Sequence, residues 1–347
     1  MLRALLPWLL AVAIAIGGLV VGWGADRYLF SALVLHAEPF LLVLAAWAAM
    51  GAVWAGRRGL AAALVLGAIV AALGVRLPFG VPPASGMPPE WMGSVSRCAA
   101  ALRPPAEPVR LLQWTLQGDE SAAVVQAAVA AAAPGVVVLH GVSDPALVGG
   151  ILQEVGGESR FYPPEGGATG LAIVAAGGFH PCGEELEWNE AMDTPYGFTL
   201  SFVGVPSSTV FPLLVTRLPG PLDGGGWSGR MTSASTRVLD AVAGLHGGST
   251  VVVADAPAPR TYRYLDARMA SVGVSTVAVP PSWPARLGGF PLLTLHPFDR
   301  MWVGPSWAQA TATRAAARTG LRAPVLTILS GPDAERSDGG TRERYPQ

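Results

Sequence analysis

The chain has 347 residues, 51% of them hydrophobic and only 14% charged, against roughly 25% charged in an average soluble protein, and that deficit argues against a simple cytosolic enzyme. A net charge of −1 leaves no global basic field to attract nucleic acid. Gly 43 and Pro 31 follow no Gly-X-Y period, which excludes collagen, and the two cysteines, Cys98 and Cys182, stand in no CxxC spacing, which excludes a thiolate zinc cluster.

Residues 1–77 read as three transmembrane helices. Apolar stretches run from Ala4 to about Val21, from Phe30 to Ala55 and from Leu60 to Val75, each near the ~20 residues that cross a ~30 Å hydrocarbon core. The third is short and has to stand nearly upright or thin the bilayer. A cleavable signal peptide explains the first stretch alone, and no A-x-A site follows Val21. Arg3 before the first stretch, and Arg57 and Arg58 between the second and third, mark the cytoplasmic side. The loop at residues 24–27 is then outside, and an odd number of spans sends everything after Arg76 outside too, although Arg76 itself sits on the wrong side. The expected location is the inner (cytoplasmic) membrane, multi-pass, with an extracytoplasmic C-terminal domain and the lipid bilayer as partner. His36 and Glu38 are read as headgroup-level residues near Asp26 and Arg27 rather than as an intramembrane site.

Residues 78–108 form a linker in which Pro78, Pro82, Pro83, Pro88, Pro89, Pro104, Pro105 and Pro108 disfavour regular structure. Residues 331–347 are polar, without apolar periodicity, and read as a disordered tail.

The domain at 109–330 alternates strands and helices. Val109–Leu116 reads as a strand, followed by a helix capped by Asp119 or Ser121 and ended by Pro134-Gly135. Val136–His140 is a short continuous apolar run, hence a buried strand, and Gly170–Ala176 is another. Phe198–Val205 and Val210–Leu218 look like a strand pair, Ala234–His246 has helical period, and Thr250–Ala254 is a buried strand ending in Asp255. A helix at Thr261–Ser271 and strands at Phe298–Val303 and Pro324–Ser330 complete the domain. Strands outnumber helices and several are sequence neighbours, which points to a mixed α/β sandwich rather than a parallel doubly wound sheet.

Five blocks in this order resemble the endonuclease/exonuclease/phosphatase superfamily, the fold of DNase I. LLQWTL is similar to the opening "LSWNV" block, PGVVVLHGV to "PDVVALQEV", and GLAIV to "GLAILSR". STVVVADAP with TYRYLDARMASVGV resembles "PVILAGDFN" and its helix. FDRMWV and GLRAPVLTIL resemble "IDHVLV" and "SDHRPVVA". The resemblance implies an α/β fold, a three-helix membrane segment followed by a DNase I-like four-layer sandwich, as in the membrane-anchored bacterial branch. It also implies Mg²⁺- or Mn²⁺-dependent attack on a phosphate, with oxygen ligands for the hard cation and a histidine on the phosphoryl oxygens.

The motif positions depart from that chemistry. The opening asparagine is Thr115. The metal-binding glutamate is Gly141, preceded by His140 in place of glutamine. The mid-chain histidine is Arg217. The "GDFN" aspartate survives as Asp255, but its asparagine is Pro257. The "IDH" aspartate survives as Asp299, followed by Arg300. The closing aspartate and histidine are Leu321 and Arg322. Gly and Leu cannot ligate a metal, and arginine, always protonated, cannot transfer a proton as histidine does. A displaced acid such as Asp144 or Asp223 is the alternative ligand source.

Arg217 and Arg322 admit two readings. They are candidate anion-binding residues, because guanidinium forks grip phosphate or carboxylate. They are also candidates for internal neutralisation, as an Asp299–Arg322 ion pair with Arg217 near Asp255, since an unpartnered buried acid is costly. His180, His246 and His296 read as surface loop residues, GGGWSGR at 224–230 as a flexible loop, and Trp188, Trp283 and Trp307 as core or contact aromatics. Cys98 and Cys182 are a candidate disulfide if the domain is outside the cytoplasm.

Three functions follow as expectations. The first is a membrane-anchored, catalytically inactive pseudoenzyme serving as an extracytoplasmic binding or scaffold module, with an anionic ligand or protein partner and no cofactor or metal. The second is an active metal-dependent phosphoesterase on phosphorylated or lipid-linked substrates, using Mg²⁺ or Mn²⁺. The third is a structural subunit of a membrane complex, whose small-residue-rich spans suit close helix packing. Nucleic acid is not an expected partner.

Overall fold

The computed structural model describes residues 11–14, 16–17, 45–76, 107–118, 120–163, 170–180, 198–204, 210–218, 227–245, 248–256, 263–282, 286–287, 290–291, 299–315 and 322–331. The chain divides into two compact units, Met1–Pro83 with Pro219–Ser233 and Ala258–Arg268, and Ala84–Leu218 with Ala234–Pro257 and Met269–Gln347.

In the first unit, residues 11–14, 16–17 and 45–54 are helical, and helix α1 spans Arg58–Arg76. A tight turn joins 45–54 to α1. Gly56, at φ +73°, donates to the Val53 carbonyl and Arg57 to the Ala52 carbonyl, the double bond pattern that closes a helix on a left-handed glycine. The Arg57 carbonyl then accepts from Leu60 and Ala61, so one residue ends the first helix and opens the next. Gly67 lets α1 approach the first helical stretch, because a Cβ there would lie 3.2 Å from the Ala11 backbone. Among the described residues no helix is long and apolar enough to cross a membrane. Most of the first two expected spans lies outside those residues, while the third falls within α1.

The second unit is a mixed α/β sandwich. The first sheet has the order β12-β13-β1-β2-β4-β3, built from β1 (Val109–Thr115), β2 (Val136–His140), β3 (Glu158–Tyr162), β4 (Leu171–Ala175), β12 (Gln309–Arg314) and β13 (Val325–Ser330). The second has the order β5-β6-β7-β11-β8, from β5 (Phe198–Gly204), β6 (Val210–Arg217), β7 (Val251–Asp255), β8 (Ser275–Thr276) and β11 (Asp299–Val303). A small separate ladder pairs β9 (Arg286–Leu287) with β10 (Phe290–Pro291). Each large sheet holds one parallel pair, β1–β2 and β6–β7, among antiparallel neighbours.

Strand side chains alternate between faces, and the two faces have different tasks here. Leu111, Val136, Val138 and Ile173 from the first sheet meet Phe211, Leu213, Val215, Val251, Val253 and Met301 from the second in one buried cluster. The opposite face of the first sheet, with Leu112, Trp114, Val137, Leu139 and Val174, packs on helices α2 (Ala122–Ala132) and α3 (Pro145–Val155) through Val125, Val129, Val148 and Ile151. Both faces of the central strands are therefore apolar, which is why VVVLH and VVVAD read as continuous runs.

Some elements depart from expectation. Helix α3, β3 and β12 carry no strong apolar period, since α3 contains Gly149-Gly150 and β3 and β12 are edge strands with exposed positions. Helix α4 (Trp227–Gly244) begins at Trp227, so residues 227–230 of the GGGWSGR segment, expected as a loop, are helical. Helix α5 is Arg263–Ser271. Ser121 occupies the N-cap of α2 but its hydroxyl makes no capping bond, and Asp119 lies outside the described residues, as do the linker at 78–106 and nearly all of the tail.

Phe211 is fully buried between the sheets and meets the Trp307 ring edge-on at 5.5 Å between centroids. Replacing it with alanine leaves a large inter-sheet cavity, and Phe211→Ala should lower unfolding free energy by about 3–5 kcal/mol, measured as a fall in the urea midpoint.

Candidate functional site

The register alone gathers the polar positions. Thr115 pairs with His140 in the first sheet, while Asp255 pairs with both Arg217 and Asp299 in the second. By alternation all five share the inward face with Gln113, Val138, Val215, Val253 and Met301, each two residues away on its own strand. They form the last layer of the inter-sheet interior, at one end of the sandwich. Gln113 lies one layer deeper, and its Nε2 donates to the Ala254 carbonyl at 2.9 Å, a strap between the two sheets.

Arg322 enters this layer just before β13. The Trp114 indole, on the outer face of the first sheet, donates to the Arg322 carbonyl at 2.9 Å, and Ala323 donates to the Ser282 carbonyl at 2.9 Å. Held there, Arg322 donates through Nη1 to Asp255 Oδ1 at 2.5 Å. Arg217 Nε stands 3.7 Å from the other oxygen, Oδ2. Ser282 donates to Asp299 Oδ2 at 2.8 Å.

Arg217 thus lies near Asp255, but the ion pair expected between Asp299 and Arg322 is formed between Asp255 and Arg322 instead. The two acids differ in charge accordingly. Burial opposes the charge of Asp255, but the Arg322 guanidinium, with His140 and Arg217, holds its carboxyl below the usual carboxylate range. Burial pushes Asp299 up to about 7, against the Arg322 charge and the Ser282 hydrogen bond, and the nearby Asp255 adds to the rise. One acid takes the guanidinium and stays ionised; the other is stable as a neutral acid below about pH 7. Burial likewise lowers His140 to about 4, reinforced by Arg322 and Arg217 and opposed by Asp255, so its imidazole is neutral at physiological pH.

Gly141 has a backbone that no side chain suits. Its φ is +80°, and a Cβ would lie 2.2 Å from the Leu116 carbonyl oxygen. Leu116 in turn donates to the His140 carbonyl and Gly141 to the Gly170 carbonyl. The position that the resemblance assigns to a metal-binding glutamate is thus closed to any side chain unless β1 moves.

The other sequence candidates are distributed as follows. Arg300 lies, by alternation, on the opposite face of β11 from Asp299. Asp144 caps α3, accepting from Ala146 at 2.8 Å. His180 is exposed, and its backbone donates to Phe202. Trp307 is buried and donates to the Ser249 carbonyl. Pro257, Leu321, Cys98, Cys182, Asp223, His246, His296, Trp188 and Trp283 lie outside the described residues. Ser282 was not a candidate: it sits in a PPSWP segment that belongs to none of the resembling blocks, and only its contact with Asp299 marks it.

These residues do not fit a divalent cation. Asp255 already faces two guanidinium groups, which would repel a third positive centre. Among the described residues no group of three or more His, Cys, Asp or Glu side chains is placed to hold a metal ion. What the cluster offers is one net positive charge below about pH 7, with Arg217, its side chain 25% exposed, as the arm that reaches solvent.

No known family model matches the sequence, and no curated protein matches it. Solved structures are similar to it. Truncated Caenorhabditis elegans TDP2 is 15% identical with a TM-score of 0.45, covering 65% of this chain and 98% of that one. An endonuclease/exonuclease/phosphatase from Beutenbergia cavernae is 17% identical at 0.44, covering 65% and 72%. The catalytic domain of human nocturnin with bound sulfate is 16% identical at 0.46, covering 66% and 96%.

His140 and Asp299 have opposite effects on stability as pH changes. Between about pH 4 and 6.5 the unfolded chain protonates His140 and the folded chain does not, so this residue makes stability rise with pH. Between about pH 4 and 7 the folded chain keeps a proton on Asp299 that the unfolded chain has lost, so this one makes stability fall with pH. The two slopes nearly cancel in the native protein. Asp299→Asn should leave stability rising from pH 4.5 to 6.5, and His140→Gln should leave it falling, each by on the order of 3 kcal/mol, read from denaturant midpoints of the full chain. Separately, Gly141→Ala should cost more than about 1 kcal/mol in the same measurement.

Proposed function

We propose that this chain is a membrane-anchored protein of the endonuclease/exonuclease/phosphatase type, with a DNase I-like domain outside the cytoplasm that no longer hydrolyses phosphate esters and serves as a binding or scaffold module. The order of the five sequence blocks supports the family reading. So does the geometry: Thr115, His140, Arg217, Asp255, Asp299 and Arg322, spread over 200 residues of sequence, lie at one end of the sandwich. The observation that carries the loss of hydrolysis is the Arg322 guanidinium hydrogen-bonded to Asp255, where the chemistry implied by the resemblance needs a divalent cation. The module would present its positive charge through Arg217 to a carboxylate or phosphate group of a partner.

Membrane attachment rests on the first unit. Among its described residues between 11 and 69 the buried hydrophobic ones are small, Ala11, Ala49, Ala52, Ala61 and Ala63, whereas Trp47, Met50, Val53, Trp54, Leu66 and Ile69 are exposed. Small residues at helix contacts and large apolar ones outside are the arrangement that suits helices in lipid, and the reverse of a water-soluble core.

The full chain in detergent should show no turnover of a generic phosphodiester or phosphomonoester with Mg²⁺ or Mn²⁺ above the level of Asp255→Ala or of an EDTA control. Metal-dependent turnover that the substitution abolishes would overturn the pseudoenzyme reading.

A further inference from the structure

We infer that the turn between helical residues 45–54 and α1 is a contact site for anionic phospholipid headgroups. The inference rests on the membrane attachment proposed above and adds where the chain meets the headgroups and which class it selects. Three observations at the tip of this hairpin carry it. The Gly56 turn fixes both helices with backbone bonds, so the tip is presented rigidly. Arg57 and Arg58 are both exposed there, and residues 45–76 contain no Asp or Glu to neutralise them. Trp54, one turn of chain before them, is 95% exposed, and the apolar flanks Val53, Leu66 and Ile69 are about half exposed.

The occupant follows from combining these features. An apolar surface with an exposed indole at its edge and adjoining cationic groups matches the boundary of a bilayer, where indoles sit at headgroup depth. The guanidinium pair, with no carboxylate in residues 45–76, selects headgroups with net negative charge, since zwitterionic lipid offers no excess charge to attract it. A soluble acidic protein would satisfy the arginines but leave Trp54 and the apolar flanks in water. A partner helix would cover the flanks without using the arginines.

The full-length chain is reconstituted with equal amounts of phosphatidylglycerol and phosphatidylcholine, solubilised mildly, and the co-purifying lipid quantified. The expected result is enrichment of phosphatidylglycerol, on the order of fivefold for each arginine, falling as salt rises. Arg57→Gln with Arg58→Gln should remove the enrichment, and Arg57→Lys with Arg58→Lys should retain it. An unchanged thermal midpoint in detergent shows that each variant is folded. Equal recovery of the two lipids, or enrichment unchanged in the double glutamine variant, overturns the headgroup assignment. A Trp54→Cys chain that cross-links to a second copy in the membrane assigns the surface to protein and overturns it too. Washing membranes with alkaline carbonate separates the two readings: release of the chain sinks membrane anchoring itself, whereas retention without lipid preference sinks only the headgroup site.

Discussion

A carboxylate buried between two sheets needs a compensating charge, and at this end of the sandwich the rest is arranged around that requirement. Asp255 is 3% exposed, and an isolated ionised carboxylate in such a place costs far more than a domain's net stability. Arg322 removes that cost, and its own position depends on the Trp114 indole that holds its carbonyl. With one guanidinium engaged, the second acid, Asp299, is accommodated as a neutral group on Ser282, and His140 as a neutral imidazole. Such a cluster is not in itself a source of stability, because a buried ion pair gains little over a well-packed apolar pair. Breaking it is another matter, since removing either partner strands a buried charge.

That asymmetry limits what can be substituted in the cluster. Replacing Arg322 by the histidine that stands in the resembling closing block leaves Asp255 with the more distant Arg217 as its guanidinium partner. Placing a glutamate at Gly141 requires the end of β1 to move away from the Leu116 carbonyl. Each step toward a metal site is destabilising before a metal can bind, and neither step is useful alone.

Much of the fold was legible because the central strands are buried on both faces. VVVLH, LAIVA and VVVAD are short unbroken apolar runs bounded by Pro, Gly or polar residues, and such runs admit few assignments. The elements that escaped, β3 and β12, lie at the edges of their sheet, where solvent on one side erases the apolar signal. Helix α3 had a readable start in Asp144-Pro145 but a misleading centre in Gly149-Gly150. At the candidate site, residue identities were legible and pairing was not. The sequence offers two acids and two arginines, and the choice between Asp255 and Asp299 as the partner of Arg322 depends on differences of a few ångströms and on Ser282, which no block pattern contains.

The two units solve opposite problems. The sandwich places its large apolar side chains inside and pairs its buried Asp255 with Arg322, so the contacts that hold it are internal. The described N-terminal helices put alanine inside and tryptophan, methionine, leucine and isoleucine outside, an arrangement that in water leaves unfavourable apolar surface at roughly 25 cal/mol per Å². Its stability therefore depends on what covers it. Substitutions in the two units should consequently fail differently. Damage to the sandwich shows as loss of folding whatever the medium, because its contacts are internal. Damage to the exposed apolar surface of the first unit leaves its internal contacts intact and shows only when the medium that covers that surface is present.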